Sequence, residues 1–523
     1  MSEITGGLPE CLLSPELYPH PVSALELVET HISWVVLTGE FVYKFKKPLK
    51  LDFLDFSSLE KRHHFCQEEI RLNRRFAPSL YLDVQPLCVQ PGGLRLGGKG
   101  LVVDYAVKMK QFDSGSLLDQ LVVSDDFDLK MAKQIAIKMA AFHASLFTQK
   151  MEPEAEFGSF SAVSSAVLGN FATMKSLLAS DEYLRLNALE GWSRSALRDL
   201  QAAIEERWQS GMVRECHGDL HLGNMALING EVTFFDCIEF NPAFRFIDVV
   251  CELAFVLMDL ESRGRYAEAN HLLNTYLEYR DDYLGLKLLT FYKVYLALVR
   301  AKVHLIQERG QGASKEATFK QEEPVGSQRY IHLAETYLEP KPLFCALTHG
   351  VSGSGKTTLA RQVAAKAGAI QIRSDVERKR LFGLAPTERS EKRLAESIYT
   401  KEISRKTFQR LESLAKTILD AGYSVIVDAT FLSRQSREPF EVLAVSLNVP
   451  FRIINTLASN STIRKRLAQR EKQGGDASEA GLEVMLAQSE VVEEFSDKEL
   501  DYVVAISSEQ PLRDDILTIL LES

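Results

Sequence analysis

The stretch HGDLHLGNMALINGEVTFFD, residues 217 to 236, places Asp219, Asn224 and Asp236 around a short hairpin. Asn229-Gly230 is the strongest short hairpin signal, because both residues tolerate the positive φ of a type I′ turn. With MALI and EVTFF as flanking strands, the chain leaves Asn224, turns, and returns to set Asp236 beside it. An Asn and an Asp converging in this way are hard oxygen ligands suited to Mg²⁺, which takes a few protein oxygens together with phosphate oxygens. Asp219, on the preceding loop, is then free to accept the proton of a hydroxyl that attacks a γ-phosphate, and His217 would brace the loop.

A second string, Gly350-Val-Ser352-Gly353-Ser354-Gly355-Lys356-Thr357-Thr358, satisfies G-x-x-x-x-G-K-[ST]. Its glycines let backbone N–H groups wrap phosphates at a helix N-terminus, Lys356 adds a charge to the β/γ oxygens, and the Thr357 hydroxyl ligates Mg²⁺. SVIVDAT (424–430) ends on Asp428, a candidate Walker-B-type carboxylate for the same metal shell. RSDVERKRLFG (373–383) puts Asp375 at the carboxyl edge of a strand, as a candidate base for an acceptor hydroxyl, with Arg378 one helical turn on as a substrate clamp. The basic helix IRKRLAQREKQGGDASEAG (463–481) runs into glycines and reads as a lid; Arg470, then Arg466, would neutralise the transferred phosphoryl charge.

The elements that must hold these residues fall into two patterns. HISWVVLTGEFVYKFKKPL (31–49) reads as a hairpin, residues 58–78 as a helix stopped by proline, and 81–112 as strand, glycine turn, strand. A mostly helical stretch follows from Asp113 to about Ile306. Residues 309–328 are polar and aperiodic, and from 344 onward apolar strands alternate with helices, which implies a parallel doubly wound sheet. The expected division is a domain over 1–310, a linker over 311–341 and a domain over 342–523. With 523 residues, 46% hydrophobic and 25% charged, the chain has the composition of folded globular protein and is too long for one core. A net charge of -10 argues against general nucleic-acid or membrane-surface binding. The seven cysteines form no CxxC pair and suit reduced thiols, His221 has no companions at zinc spacing, and the N-terminus lacks a leader pattern. These features together suggest a cytoplasmic protein.

His217, Asp219, Leu220, Asn224 and Asp236 match the catalytic loop H-x-D-L-x-x-x-N and the following metal-binding Asp of protein-kinase-like enzymes. Gly218 stands where Arg is usual, and this form resembles the aminoglycoside phosphotransferase and choline kinase branch, whose substrates are small hydroxyl compounds. The resemblance implies an α+β bilobal N-terminal domain and a strand lysine for the α/β-phosphates, oriented by a helix Glu. Lys44 in Phe41-Val42-Tyr43-Lys44 fits, with Lys46 the alternative; Val42, on the same face, would cover the adenine. Glu69 fits as partner, with Glu68 the alternative. Met109–Phe112 would be the hinge, and Asp248 would be the buried Asp that supports the catalytic loop. The glycine-rich G-x-G-x-x-G of protein kinases is missing, as it often is in aminoglycoside-kinase-like folds; only Thr38-Gly39-Glu40 stands there.

Residues 342–523 resemble the zeta-toxin-like and gluconate-kinase-like P-loop kinases, an α/β P-loop NTPase fold. The whole chain resembles a bacterial fusion of the two. That implies an ATP- and Mg²⁺-dependent bifunctional phosphotransferase, each domain acting on a hydroxyl of a small metabolite. Two other readings stay open: one domain is an ATP-binding sensor of its neighbour, or the C-terminal domain is a toxin-like nucleotide-sugar or polynucleotide kinase.

Overall fold

The structure, a computed structural model, describes residues 8–146, 156–178, 183–310, 326–388, 400–473, 477–478 and 480–522. The first part of the expected linker, 311–325, lies outside them, as does part of the expected lid. The chain divides into two compact units. The first comprises Met1–Phe127, Leu146–Ala166 and Ile204–Asp259; the second comprises Asp128–Ser145, Val167–Ala203 and Leu260–Ser523. The helices after Leu260 therefore belong with the P-loop region, and the compact units cut the chain elsewhere than at residue 310.

In the first unit β1 (Glu26–Glu29), β2 (Ser33–Leu37) and β3 (Phe41–Lys46) precede helix α1 (Leu59–Asn73). Strands β4 (Tyr81–Gln90), β5 (Gly93–Leu96) and β6 (Leu101–Lys110) follow, and the antiparallel order is β1-β2-β3-β6-β4-β5. The alternation of FVYKFK sorts β3 into two faces. Tyr43 and Phe45 enter an apolar core with Val36, Leu87 and Ala106, each burial contributing ~1.5–3 kcal/mol. Lys44 and Lys46 point the other way, toward α1. That helix begins at Ser58, whose side chain accepts from the Lys61 N–H, and it packs Cys66 and Ile70 against Tyr81 and Val107. Sheet, opposed helix and the loop-and-hairpin segment below make a protein-kinase-like fold.

The loop segment is framed by short ladders. Strand β7 (Val213–Glu215) leads into it, β8 (Met225–Ile228) and β9 (Glu231–Phe234) form the expected hairpin, and β10 (Phe246–Asp248) pairs back antiparallel with β7. Asn229 and Gly230 take φ of 53° and 80°, as a type I′ turn demands. Helix α2 (Val249–Ser262) closes the segment.

In the second unit α3 (Tyr266–Arg280) precedes β11 (Cys345–His349), α4 (Lys356–Ala367), β12 (Ile370–Arg373) and the short helix α5 (Ser374–Arg380). Then come β13 (Val425–Asp428), β14 (Phe451–Leu457), α6 (Asn460–Gln473) and β15 (Val503–Ser507). The sheet is parallel, ordered β12-β13-β11-β14-β15, and β11 to β13 are buried along their whole length, as helices on both faces require. Strand β15, the β-branched run Val503–Ser507, was not among the expected strands. Within the expected linker, residues Ser327–Thr336 form a helix whose Tyr330, Ile331, Leu333 and Ala334 are buried at helical spacing. Among the described residues, no helix is long and apolar enough to cross a membrane.

Candidate functional site

The first site grows from the face of β3 that carries Lys44 and Lys46. Lys44 Nζ lies 2.9 Å from Glu69 Oε1 and 2.5 Å from Asp236 Oδ1. Lys46 Nζ donates to Glu69 Oε2 at 2.7 Å and to Glu239. Glu69 thus serves both lysines, while Glu68 pairs with Arg71 on the helix surface. Burial alone would push Lys44 down, but Asp236, Glu69 and Glu239 outweigh it and hold the ammonium well above its usual range. Burial likewise opposes ionisation of Glu69, yet the two lysines bring its carboxyl down to about 2. The Lys46–Glu239 pair was not read from the sequence; the D-x-x-E spacing of Asp236 and Glu239 was its signal.

Replacing Lys46 by Met leaves Glu69 and Glu239 buried without that cation, and breaking such a pair costs ~3–5 kcal/mol. Urea unfolding should show this loss, and adding Glu239→Gln should recover part of it. A single-variant loss below ~1 kcal/mol would contradict the assignment.

The loop presents Asp219 to solvent, its carboxylate about one-third exposed. Asn224 Nδ2 donates to Asp219 O at 2.8 Å and approaches Asp219 Oδ2 at 3.2 Å. With its N–H₂ so committed, the amide turns its oxygen the other way. The Phe235 N–H donates to Asn224 O at 3.1 Å, which brings the start of Asp236 to Asn224. Asp236 adopts φ 63°, a left-handed conformation that Asp tolerates, and its N–H donates to the Tyr81 hydroxyl at 3.0 Å. The donor set, one amide oxygen and a half-exposed carboxylate, fits a Mg²⁺ ion that keeps some of its water.

His217 is buried, and burial holds it below the usual imidazole range. The neutral ring donates from Nε2 to Phe235 O (2.8 Å) and accepts the Asp219 N–H at Nδ1 (3.3 Å). Gly218 has φ 89°, and a Cβ there would sit 2.8 Å from Phe244 O, so the Arg of the wider pattern has no room. Asp248 does not carry the loop as expected. It is engaged by Arg207 at 2.7 and 2.8 Å, and the loop N–H groups go to α2 instead: His217 and Gly218 to Glu252 Oε1 (2.5 and 3.1 Å), Leu222 to Asp259 (2.8 Å). Regularly spaced carboxylates on α2, Glu252 and Asp259, were the available signal. At the expected hinge, the Gln111 N–H donates to Glu40 O at 3.0 Å, and its side-chain oxygen accepts the Gly39 N–H at 2.9 Å.

The second site lies where β11 and β13 meet, at the carboxyl ends of the strands on either side of the topological switch, the position at which open α/β sheets bind ligands. Gly350, Gly353 and Gly355 have φ of 135°, 84° and 101°. A Cβ on Gly355 would meet Arg466 Nη1 and Ser508 Cβ at 2.8 Å. The Ser354 hydroxyl is buried and has no hydrogen-bond partner among the described residues. Lys356 Nζ donates to Val351 O at 2.8 Å. Burial pushes this ammonium down to about 8, against the pull of Asp428 and Asp375.

Around Lys356 opens a cavity of ≈ 890 Å³, lined also by Thr357, Thr358, Asp375, Arg378, Asp428 and Arg470. Asp428 is held by Gln371 Nε2 at 3.0 Å and lies 3.8 Å from Arg373 Nε. Asp375 and Arg378 meet each other at 3.3 Å. Arg466 is committed to the loop itself, donating to Ser354 O (3.0 Å) and to Ser508 Oγ (2.7 Å), while Arg470 donates to Ala480 O at 2.5 Å. The Ser352 N–H is taken by Gln488 Oε1 at 2.8 Å, a loop contact that sequence reasoning did not find.

Phosphate binding at this loop favours the charged lysine, so nucleotide affinity should be full below pH 8 and fall as pH rises through the free-enzyme value of about 8. The slope is at most about tenfold per pH unit. Titrating a chain whose first site is disabled by Lys44→Met tests this; a profile flat well above that value would contradict it.

Fold and site together define a two-domain chain: a protein-kinase-like fold followed by an α/β domain with a P-loop. Residues 346–495 match the family model of the AAA domain. An uncharacterized protein of Mycobacterium tuberculosis is 28% identical over 462 residues, covering 88% of this chain and 89% of its own. Among solved structures, a sugar kinase from Janibacter sp. is 22% identical, covering 32% of this chain and 88% of that one, with a TM-score of 0.25. A choline/ethanolamine kinase family protein from Mesorhizobium loti is 11% identical, covering 64% and 99%, with a TM-score of 0.30.

Proposed function

We propose that the chain is a bifunctional phosphotransferase using ATP and Mg²⁺, with a small hydroxylated metabolite as acceptor in each domain. The observation that carries this reading is the pairing of Asp236 with Lys44 at the open end of a hairpin, the same end at which Asn224 is held against Asp219. In the first site Asp219 takes the proton of the acceptor hydroxyl as its oxygen bonds to the γ-phosphorus and the bond from that phosphorus to the β-phosphate oxygen breaks, ADP leaving with the electron pair. Lys44, held by Glu69, orients the α/β-phosphates. Asn224 and Asp236 would hold Mg²⁺ in this site, and Thr357 and Asp428 in the second, where the ion spreads charge from the phosphate oxygens. In the second site Asp375 is the base, Arg378 holds the acceptor, the Gly350–Thr358 loop and Lys356 hold the phosphates, and Arg470 meets the charge on the transferred group.

The acidic balance of the chain supports small-molecule acceptors over nucleic acid. Incubating the full chain with ATP and a metabolite library, and screening for compounds that gain one phosphate, tests the proposal. Asp219→Asn should delete one set of products and Lys356→Met the other. Nucleotide binding with no phosphorylated product from either domain would overturn it in favour of a sensor.

A further inference from the structure

One wall of the second cavity comes from helices that lie outside the segment matching the AAA domain. His271, Asn274 and Glu278 of α3 line it, as does Lys133. The wall is fixed to the sheet. Asn270 Nδ2 and Asn274 Nδ2 donate to Ala369 O at 2.9 and 3.2 Å, and Asn274 Oδ1 accepts the Gln371 N–H at 2.7 Å. These bonds satisfy the free edge of β12, the outermost strand, which would otherwise expose its backbone groups. Glu278 adds a contact of 3.5 Å to Arg373, and its carbonyl accepts from Arg380 Nη2 at 2.8 Å.

Lys133, His271 and the exposed Arg361 of α4 gather at this wall, and no carboxylate or other hydrogen-bonding partner meets any of them among the described residues. Nearby cations of the same unit are paired: Arg378 with Asp375, Arg380 with Glu377, Arg410 with Asp281. Their mutual influence is visible on His271, which burial first, then Arg361 and Lys133, bring down to about 4. Like charges left together beside a cavity favour an anion that neutralises them. The nucleotide's own phosphates belong to the Gly350–Thr358 loop and Lys356. Arg361 stands five residues further along α4, about 7.5 Å of helix rise beyond that lysine. Two cations, with a neutral His271 imidazole beside them to donate a hydrogen bond, suit a phosphate dianion better than a single carboxylate.

We propose that Lys133, His271 and Arg361 form an anion subsite on the acceptor side of the second cavity, so that this site takes a hydroxyl compound already bearing a phosphate group. The inference rests on the kinase reading of that site. It also makes the α3 wall part of the acceptor site, beyond the segment that carries the P-loop.

The test uses the full chain saturated with the magnesium complex of a non-hydrolysable ATP analogue, titrated calorimetrically with inorganic phosphate. Phosphate should bind the loaded protein, and Lys133→Gln with Arg361→Gln should weaken it at least tenfold, with analogue affinity unchanged. Both residues are exposed, so the fold is spared. A phosphate titration identical in the variant, or absent from the loaded wild type, would overturn the subsite while leaving the kinase reading intact. Failure of the analogue to bind at the second site, seen before any phosphate is added, would instead count against that reading.

Discussion

Asp219→Asn is expected to lower phosphoryl transfer by the first domain by ~10²–10⁴-fold, the usual contribution of a positioned general base. The substitution keeps the shape that Asn224 grips through Asp219 O, and it removes only the basic oxygen. Neutral His217 sits behind the loop with Nε2 given to Phe235 O and Nδ1 to the Asp219 N–H, so the ring is not a ready substitute for the lost base. Nucleotide affinity should stay as it was, because Lys44, Glu69 and Asp236 are untouched. Turnover measured with the library-identified acceptor checks this. Unchanged turnover would remove Asp219 from the chemistry, and lost nucleotide binding would assign it a structural role.

Lys356→Met should separate binding from folding in the second unit. A buried ammonium whose pKa is brought from 10.5 to about 8 is a cost to the folded, nucleotide-free protein at neutral pH, on the order of 3 kcal/mol. The sign follows from the depression: the cost is present in full below the folded value and fades as pH rises toward the unfolded one. Methionine keeps the apolar stem and removes the charge, so the variant's nucleotide-free Tm should rise. Its nucleotide affinity at the second site should fall about 10- to 150-fold, the ~1.5–3 kcal/mol of a charged hydrogen bond. Thermal scans with and without the ATP analogue, on a Lys44→Met background, read both effects. A fall in the nucleotide-free Tm, or an undiminished analogue shift, would contradict the role given to Lys356.

Local chemistry was the legible part of this chain. The Asn229-Gly230 turn, the Gly350–Thr358 loop and the placement of Asp428 at a strand end each depend on a few neighbouring residues, and the structure places them as spacing implies. The choice between Lys44 and Lys46 could not be made from alternation, since both point to one face; both reach Glu69, and only the contact with Asp236 distinguishes Lys44. Long-range partners were opaque for a different reason. Nothing in the local pattern of Asp248 says that Arg207 will neutralise it and that Glu252 will hold the loop. Asn270 and Asn274 look like ordinary helix residues until the open edge of β12 needs donors and acceptors.

The claim beneath all of this is that one chain holds two separate nucleotide sites. Calorimetric titration of the full chain with the magnesium complex of a non-hydrolysable ATP analogue tests it most directly. Two nucleotides should bind per wild-type chain, with one site lost in Lys44→Met and the other in Lys356→Met. A single binding event in the wild type, abolished by Lys356→Met and indifferent to Lys44→Met, would contradict the account.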